Sequence, residues 1–250
     1  MIAVLDSGSG GVNVINECLK YYKQDFVYLV DNKNCPYGNK SPDELKHIVL
    51  ANINFLQKNY YIDFFIIGCN TASSILNYAD LETIKCPILK TYPNLKDLVK
   101  VKGRVLLFAT KNTITKSNYV KYYLLNYDNI KTLFVKDLPK YIDNKIAKND
   151  DKNGKNIEKM LKKSLFFNKK LKNGFKNIKA VALGCTHFKH IKGEICNAFN
   201  NKVSIFECEK EVAKISKFLV KKSKNNFCIK VILTKQDDNL KQSIINMFTL

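Results

Sequence analysis

The chain of 250 residues is long enough to form one large α/β domain or two smaller ones. Hydrophobic residues make up 46% of it and charged residues 26%, a balance that excludes wholesale disorder and a fibrous or collagen-like organisation. The formal charge of +20 comes from scattered lysines and a single arginine, Arg104, so we interpret it as a solvated surface and expect no specific nucleic-acid partner.

Short apolar segments alternate with amphipathic segments from one end of the chain to the other. Each apolar segment has the length of a buried strand, and each is followed by a segment whose apolar residues have helical spacing. This alternation predicts an α/β fold with mostly parallel sheets flanked by helices. The predicted strands are residues 2–5, 26–30, 64–67, 105–108, 132–135, 180–183, 203–206 and 229–233.

Three of the connecting segments carry the clearest signals. Residues 42–59 and residues 157–171 place apolar side chains along one face of a helix. Residues 145–155 form a polar run rich in Lys, Asn and Asp, which predicts a surface loop.

Two strand ends share a short pattern that suggests an internal repeat. The strand at 64–67 leads into Gly68-Cys69-Asn70-Thr71, and the strand at 180–183 leads into Gly184-Cys185-Thr186-His187. A second pair of strands ends in a small hydroxyl residue, Ser7 in one case and Thr110 in the other. We therefore predict two pseudosymmetric lobes, the first formed by residues 1–93 and 207–250 and the second by residues 94–206.

The repeated cysteines, Cys69 and Cys185, stand where a parallel sheet opens onto its ligand crevice. A helix that begins directly after each cysteine would stabilise its thiolate and lower its pKa. If the lobes face each other, the two thiols flank one ligand from opposite sides. Such a pair could remove a proton from one face of a carbon and return a proton to the other face, which inverts the stereocentre.

Polar residues beside these cysteines could hold the rest of a ligand. The turn Gly8-Ser9-Gly10-Gly11 could offer backbone amides to a carboxylate, and Asp6 could orient or deprotonate a neighbouring group. The hydroxyls of Ser7, Thr71 and Thr186 add donors. Neither common phosphate-binding glycine motif is present, which argues against a nucleotide site.

The eight cysteines contain no C-x-x-C pair, so neither a zinc ribbon nor a dithiol redox motif is indicated. His190 lies near Cys185 and His187 in the sequence, but a catalytic thiolate must stay unligated and the spacing fits no common zinc pattern, so we expect no metal there. The chain starts without a basic leader or an apolar signal segment, and we expect a cytoplasmic protein with reduced thiols and no membrane association.

Taken together, five motifs resemble those of the glutamate racemases, in order and over nearly the whole chain. The resemblance implies two pseudosymmetric α/β lobes with the active site in the cleft between them, and usually a homodimer. It also implies an enzyme that interconverts L- and D-glutamate without a cofactor and supplies the D isomer for peptidoglycan. The motifs are Asp6-Ser7-Gly8-Ser9-Gly10-Gly11, Asp31-Asn32 with Pro36-Tyr37-Gly38, Cys69-Asn70-Thr71-Ala72, Asn112-Thr113-Ile114 and Gly184-Cys185-Thr186-His187.

Residue roles follow from the same resemblance. Cys69 would deprotonate D-glutamate and Cys185 would deprotonate L-glutamate, with Asp6 and His187 as helpers beside the thiols. The resemblance implies that substrate is bound by Asp6, Ser7, Tyr37, Gly38, Asn70, Thr71, Thr186 and His187.

Some residues depart from the family pattern, and two other functions therefore remain as alternatives. Phe188 and Lys189 replace a common Tyr and Pro. The second lobe of the family usually supplies an acidic helper, for which Asp143 is the nearest candidate, and we do not place Asp143 in the site. The alternatives are a racemase for aspartate or a hydantoin, which would keep both cysteines, and a basic nucleic-acid-binding protein on this scaffold.

Overall fold

The structure is a computed structural model that describes residues 1–77, 79–82, 84–148, 152–167 and 177–249. The described strands are β1 (Ile2–Asp6), β2 (Phe26–Val30), β3 (Phe64–Ile67), β4 (Ile88–Lys90), β5 (Arg104–Ala109), β6 (Ile130–Leu133), β7 (Ile178–Gly184), β8 (Ser204–Phe206) and β9 (Ile229–Leu233). The described α-helices are α1 (Gly11–Leu19), α2 (Pro42–Asn59), α3 (Asn70–Ile75), α4 (Leu95–Leu98), α5 (Lys111–Lys116), α6 (Asn118–Asn126), α7 (Leu138–Lys148), α8 (Lys152–Phe167), α9 (Lys192–Ala198), α10 (Glu209–Ser216) and α11 (Asp238–Asn246). Short 3₁₀ helices cover Tyr37–Asn39, Ala79–Leu81, Thr186–Ile191 and Lys217–Leu219.

The described strands form two sheets, and the strand pairs within both are parallel. The first sheet has the order β4-β3-β1-β2-β9, and the second has the order β6-β5-β7-β8. Taken in the reverse direction, β8-β7-β5-β6 repeats the order β4-β3-β1-β2, with β9 as an addition to the first sheet. The predicted pair of pseudosymmetric parallel lobes is therefore confirmed, and β3 and β7 hold equivalent positions.

Apolar side chains alternate between the two faces of each sheet and are covered on both. In β1, Ile2 and Val4 belong to one buried cluster with residues of α1, α10 and α11, whereas Ala3 and Leu5 belong to another with residues of α2 and α3. The second sheet is covered by α7, α8 and α9 on one face and by α4, α5 and α6 on the other. This double cover explains why the strand sequences are nearly continuous apolar runs.

Local sequence signals determine where helix α2 begins. Ser41 caps the helix by accepting a hydrogen bond from the backbone N–H of Glu44, and Pro42 occupies the first turn. The helix ends at Asn59, so the prediction for residues 42–59 is confirmed. The helix predicted from residue 157 is confirmed as far as Phe167 by α8, and residues 168–171 lie outside the described residues.

Three strands differ from their predictions by two or more positions. One of them, β7, begins at Ile178 rather than at residue 180. The short strand β4 was not predicted, because its three residues are only half-buried and include a lysine. Strand β6 begins at Ile130, two positions before the predicted start, because its register follows pairing with β5, in which Val105 lies opposite Ile130 and Phe108 opposite Leu133.

The predicted surface loop at 145–155 is wrong for most of its length. Residues 145–148 belong to α7 and residues 152–155 to α8, and residues 149–151 lie outside the described residues. Lysine is a good helix former, so a polar run can continue a helix whose inner face is fixed by buried residues such as Ile142.

A cluster of charged side chains joins the second lobe to helices of the first. Lys189, in the turn after β7, places its Nζ 3.7 Å from Glu207 Oε2 and 4.0 Å from Glu17 Oε2 on α1, and it also contacts Glu209 on α10. This lysine, one of the departures from the family pattern, therefore helps to hold the turn that carries His187 against the first lobe.

The chain leaves the first sheet after β4 and returns to it with β9. We propose the predicted lobe limits, with residues 94–206 as the second lobe, because this range contains β5 to β8. Within the described part of the chain, no helix has the combination of length and apolar character needed to cross a bilayer.

Candidate active site

The two repeated cysteines occupy equivalent positions at the carboxyl ends of β3 and β7. Cys69 is the residue that precedes α3, and Cys185 precedes the 3₁₀ helix Thr186–Ile191. Both are almost fully buried, with 3% and 4% of their surface exposed. Cys185 lies close enough to Cys69 for its charge to contribute to the raised pKa of Cys69. The structure thus brings together the two cysteines that the repeat singled out.

Direct hydrogen bonds close the cleft between the lobes around these thiols. The Thr186 hydroxyl donates to Asp6 Oδ2 at 2.8 Å, and the Asn13 side-chain amide donates to the carbonyl of Thr186 at 2.9 Å. On the other side, the hydroxyls of Thr71 and Thr110 are 2.9 Å apart. Residues from both lobes therefore share one buried polar cluster.

His187 stands between Cys185 and a carboxylate. Its Nδ1 is 3.7 Å from Cys185 Sγ, and its Nε2 is 3.3 Å from Asp143 Oδ2. Burial alone would lower the pKa of His187, but the Asp143 carboxylate outweighs it and raises that pKa well above its ordinary value. In turn, burial of Asp143 is outweighed by His187, so the pKa of Asp143 is lowered. The pair is therefore a charged imidazolium and a carboxylate.

Asp143 lies in the site, which corrects the sequence analysis. Its Oδ1 accepts hydrogen bonds from the backbone N–H of Ser9 at 3.0 Å and from the Ser9 hydroxyl at 2.5 Å. Asp143 lies on α7, and 134 residues separate it from Ser9, so only the packing of the two lobes brings it to His187. Ser9, which the sequence analysis placed in the glycine turn, therefore uses both its N–H and its hydroxyl to hold Asp143.

Three of the four backbone amides of the glycine turn after β1 donate to groups of the protein itself, whereas the sequence analysis expected the turn to offer its amides to an anion. The N–H of Gly8 donates to Asp6 Oδ1 at 3.2 Å, that of Ser9 donates to Asp143, and that of Gly11 donates to the Tyr28 hydroxyl at 3.0 Å. The glycine at position 8 is needed for space instead, because a Cβ there would overlap the Asp143 carboxylate and the His187 ring.

The pKa of Cys69 is also opposite to the expectation from its helix. Burial, and then the charges of Asp6 and Cys185, raise the pKa of Cys69 to about 12, and the Ala72 backbone N–H offsets only part of this. Helix α3 has six residues, too short to outweigh removal of the thiolate from water. The Asp6 carboxyl group, itself fully buried, has a raised pKa for the same reason.

The remaining predicted site residues line the first-lobe side of the cluster. Ser7 is buried at the end of β1. The Tyr37 hydroxyl donates to Asp31 Oδ2 at 2.7 Å, and a Cβ at Gly38 would lie 3.2 Å from Thr110, so this loop meets the second lobe. Tyr37 is therefore brought to the cleft edge, although its hydroxyl is directed at Asp31.

Asn70 has one satisfied and one unsatisfied group. Its Nδ2 donates to Cys208 Sγ at 3.2 Å, whereas its buried Oδ1 has no hydrogen-bond partner among the described residues. A buried acceptor without a donor is costly, and at the edge of a cleft it indicates a place for a ligand N–H. Cys208 is a further contact that no sequence motif indicated.

Comparison with known proteins identifies the class of protein to which this fold and site belong. The chain is 31% identical over 211 residues to glutamate racemase from Clostridium botulinum, with 82% of this chain and 78% of the relative covered. It is 30% identical over 249 residues to glutamate racemase from Buchnera aphidicola, with 96% and 93% covered. The fold matches glutamate racemase from Escherichia coli, solved with L-glutamate and the activator UDP-MurNAc-Ala, at a TM-score of 0.83 and 22% identity, covering 99% of this chain and 94% of that one. No protein-family model matches the chain.

Two parallel-sheet lobes with paired strand-end cysteines, together with these relatives, define the class as the amino-acid racemases, which are isomerases. Within that class, the chain belongs to the glutamate racemase family.

Proposed function

We propose that this protein interconverts L- and D-glutamate, with Cys69 and Cys185 as the two acid–base groups. The observation that carries the proposal is the position of two buried thiols at equivalent ends of β3 and β7, within one polar cluster built from both lobes. Membership of the glutamate racemase family supports glutamate over aspartate or a hydantoin as the substrate.

Each turnover moves one proton to a thiolate and one from a thiol. With D-glutamate, the Cys69 thiolate takes the Cα proton, and the electron pair of the broken C–H bond stays on the substrate as a carbanion. The Cys185 thiol then gives its proton to the opposite face of that carbon. The reaction ends with a Cys69 thiol and a Cys185 thiolate, and L-glutamate reacts by the reverse path.

The positive charge of the substrate would stabilise the Cys69 thiolate, which burial disfavours. An α-ammonium group beside the thiols favours the thiolate, and so counteracts the burial that raises the pKa of Cys69 to about 12. The unpartnered Oδ1 of Asn70 could accept a hydrogen bond from that ammonium. On the other side, the protonated His187 ring can donate a hydrogen bond from its Nδ1 to Cys185 Sγ, 3.7 Å away.

We further propose that the other substrate contacts come from the residues that now hold the lobes together. The hydroxyls of Thr71 and Thr186 would exchange their bonds to Thr110 and Asp6 for bonds to substrate. Because the cluster is buried, substrate entry would require the lobes to separate and then close, which also excludes water from the carbanion. The proposed substrate-binding residues are Asp6, Ser7, Tyr37, Gly38, Asn70, Thr71, Thr186 and His187.

The cellular role proposed is the supply of D-glutamate for peptidoglycan synthesis. The protein would act in the cytoplasm, as a homodimer and without a cofactor. These statements follow from the family, and size measurement in solution and assay of protein treated with chelator test the last two.

The proposal is tested by incubating purified protein with L-glutamate and, separately, with D-glutamate while circular dichroism is recorded. We expect the signal to decay to zero from both sides, because the enantiomers have equal free energies in water. L- and D-aspartate are the matched controls and should change at least about tenfold more slowly. Racemisation of aspartate but not of glutamate would contradict the substrate, and racemisation of neither would contradict the function.

A further inference from the structure

A third thiol, which the proposed racemisation does not use, lies beside the His187–Asp143 pair. Cys35 Sγ is 3.6 Å from Asp143 Oδ2, and the ligand atoms of Cys35, Asp143 and His187 all lie within 4.8 Å of one another. We propose that Cys35, Asp143 and His187 form a zinc-binding site, and that zinc bound there inhibits proton transfer at Cys185.

Two of the three separations match those of a tetrahedral zinc site, and the third, between Cys35 Sγ and the His187 ring nitrogen, is at most 4.8 Å. With Zn–S bonds of about 2.3 Å and Zn–N and Zn–O bonds of about 2.0–2.1 Å, a tetrahedron has a sulfur–oxygen edge of about 3.5 Å and a nitrogen–oxygen edge of about 3.3 Å. The structure has 3.6 Å between Cys35 Sγ and Asp143 Oδ2, and 3.3 Å between His187 Nε2 and the same oxygen. One ion could therefore be bound by all three groups with small side-chain movements.

The atoms that would bind the ion face one another, and the second oxygen of Asp143 and the second ring nitrogen of His187 are already oriented by other contacts. Asp143 Oδ1 is held by the N–H and hydroxyl of Ser9, which leaves Oδ2 for the metal. His187 Nδ1 is directed at Cys185, which leaves Nε2. Such outer contacts fix ligand orientation in metal sites.

The set of donors favours zinc over the hard divalent cations. One thiolate, one imidazole and one carboxylate suit zinc, whereas magnesium and calcium take oxygen ligands. Three protein ligands leave a fourth position for water. Cys35 is half-buried, whereas Asp143 and His187 are buried, so the ion would enter from the Cys35 side. This site shares only His187 with the His190 and Cys185 combination that the sequence analysis set aside.

Zinc binding would remove one proton from Cys35 and one from His187. Zinc displaces the proton of the Cys35 thiol and the proton on His187 Nε2, and both are released to solvent. His187 then keeps only its Nδ1 proton and can no longer act as an imidazolium beside Cys185. The inhibitory part of this proposal rests on the racemase function, but the binding part does not.

The binding test uses the full-length protein, freed of metal with a chelator and titrated with Zn²⁺, and with Co²⁺ as a spectroscopic probe. We expect one ion per chain by equilibrium dialysis, and a thiolate-to-cobalt charge-transfer band. Cys35→Ala should lose the band and bind zinc at least about tenfold more weakly, since even outer-shell changes cost about 10- to 100-fold. Cys196→Ala, which alters another half-buried thiol outside this cluster, should bind as the parent protein does.

The activity test compares the same proteins. Without zinc, Cys35→Ala should racemise glutamate within about twofold of the parent rate, because Cys35 takes no part in proton transfer, and its zinc inhibition constant should rise at least about tenfold. Matching thermal unfolding midpoints of the three proteins show that the fold is kept. Cys185→Ser, which is expected to be inactive, should still bind one ion.

Two results would overturn the proposal. One is the absence of stoichiometric zinc or cobalt binding to the parent protein. The other is unchanged zinc inhibition in Cys35→Ala, which would place the inhibitory ion on the reacting thiols. Loss of racemisation in all proteins together with intact Cys35-dependent binding would contradict the proposed function and leave the zinc site supported.

Discussion

Replacement of Cys69 or Cys185 by serine is expected to lower racemisation of glutamate by about 10²- to 10⁴-fold in both directions, the range attributed to one acid–base group. A hydroxyl is a far weaker acid than a thiol, so serine can neither take up the Cα proton nor carry the negative charge between turnovers. The measurement is the initial rate from each enantiomer, followed by circular dichroism.

The control is Cys18→Ser, which changes a buried thiol on α1 that contacts Ser216 and lies outside the cleft. This variant should keep the parent rate once its thermal unfolding midpoint shows that it is folded. Parent-like rates in either Cys69→Ser or Cys185→Ser would contradict the two-thiol mechanism.

Removal of the His187 ring is expected to have the next largest effect. His187→Ala should lower kcat/KM by about 10²-fold, because the charged hydrogen-bond donor 3.7 Å from Cys185 Sγ is lost. Because the equilibrium constant of a racemisation is one, kcat/KM must fall equally in both directions. The step at Cys185 becomes slower than the step at Cys69, so the primary isotope effect with α-deuterated L-glutamate should increase more than that with the D isomer.

The matched control is His190→Ala, which removes a second imidazole close by. Burial, followed by the charge on His187, lowers the pKa of His190 to about 4, so this ring is neutral and its loss removes no positive charge. We expect a change within about threefold. Equal losses in the two variants would indicate that His187 acts by packing alone.

The pH dependence of kcat/KM in Asp143→Asn tests whether His187 acts through its positive charge or through packing. The carboxylate of Asp143 raises the pKa of His187, so in Asp143→Asn that pKa falls and the imidazolium is lost at lower pH. The alkaline limb of the kcat/KM profile should therefore move to lower pH. An alkaline limb that stays in place would contradict the role given to this pair.

The positions of Cys69 and Cys185 could be predicted from the sequence because local signals determine them. Each follows a buried apolar strand and a glycine, and parallel strands present their carboxyl ends at one edge of a sheet. The repeat of this pattern was sufficient to predict two related lobes, since the two sheets share one strand order.

Features that depend on packing between the lobes could not be predicted in this way. Asp143 lies on a helix with no motif around it, and only tertiary packing brings it to Ser9 and His187. The helix after Cys69 suggested a lowered pKa for its thiol. The sequence alone shows neither that this thiol is buried nor that the Asp6 carboxyl group lies near it, and both effects raise the pKa of Cys69. The polar run at 145–155 looked like a loop because the buried faces that extend α7 and α8 into its two ends are set by the sheet beneath.

The most direct test of the central claim, proton removal on one face of Cα and return on the other by different thiols, is racemisation of L-glutamate in D₂O. At early times the account predicts that each D-glutamate formed carries one solvent deuterium at Cα, while the remaining L-glutamate keeps its original proton. Deuterium that enters the remaining L-glutamate as fast as D-glutamate forms, or D-glutamate that retains the original proton, would indicate a single shared base and contradict the account.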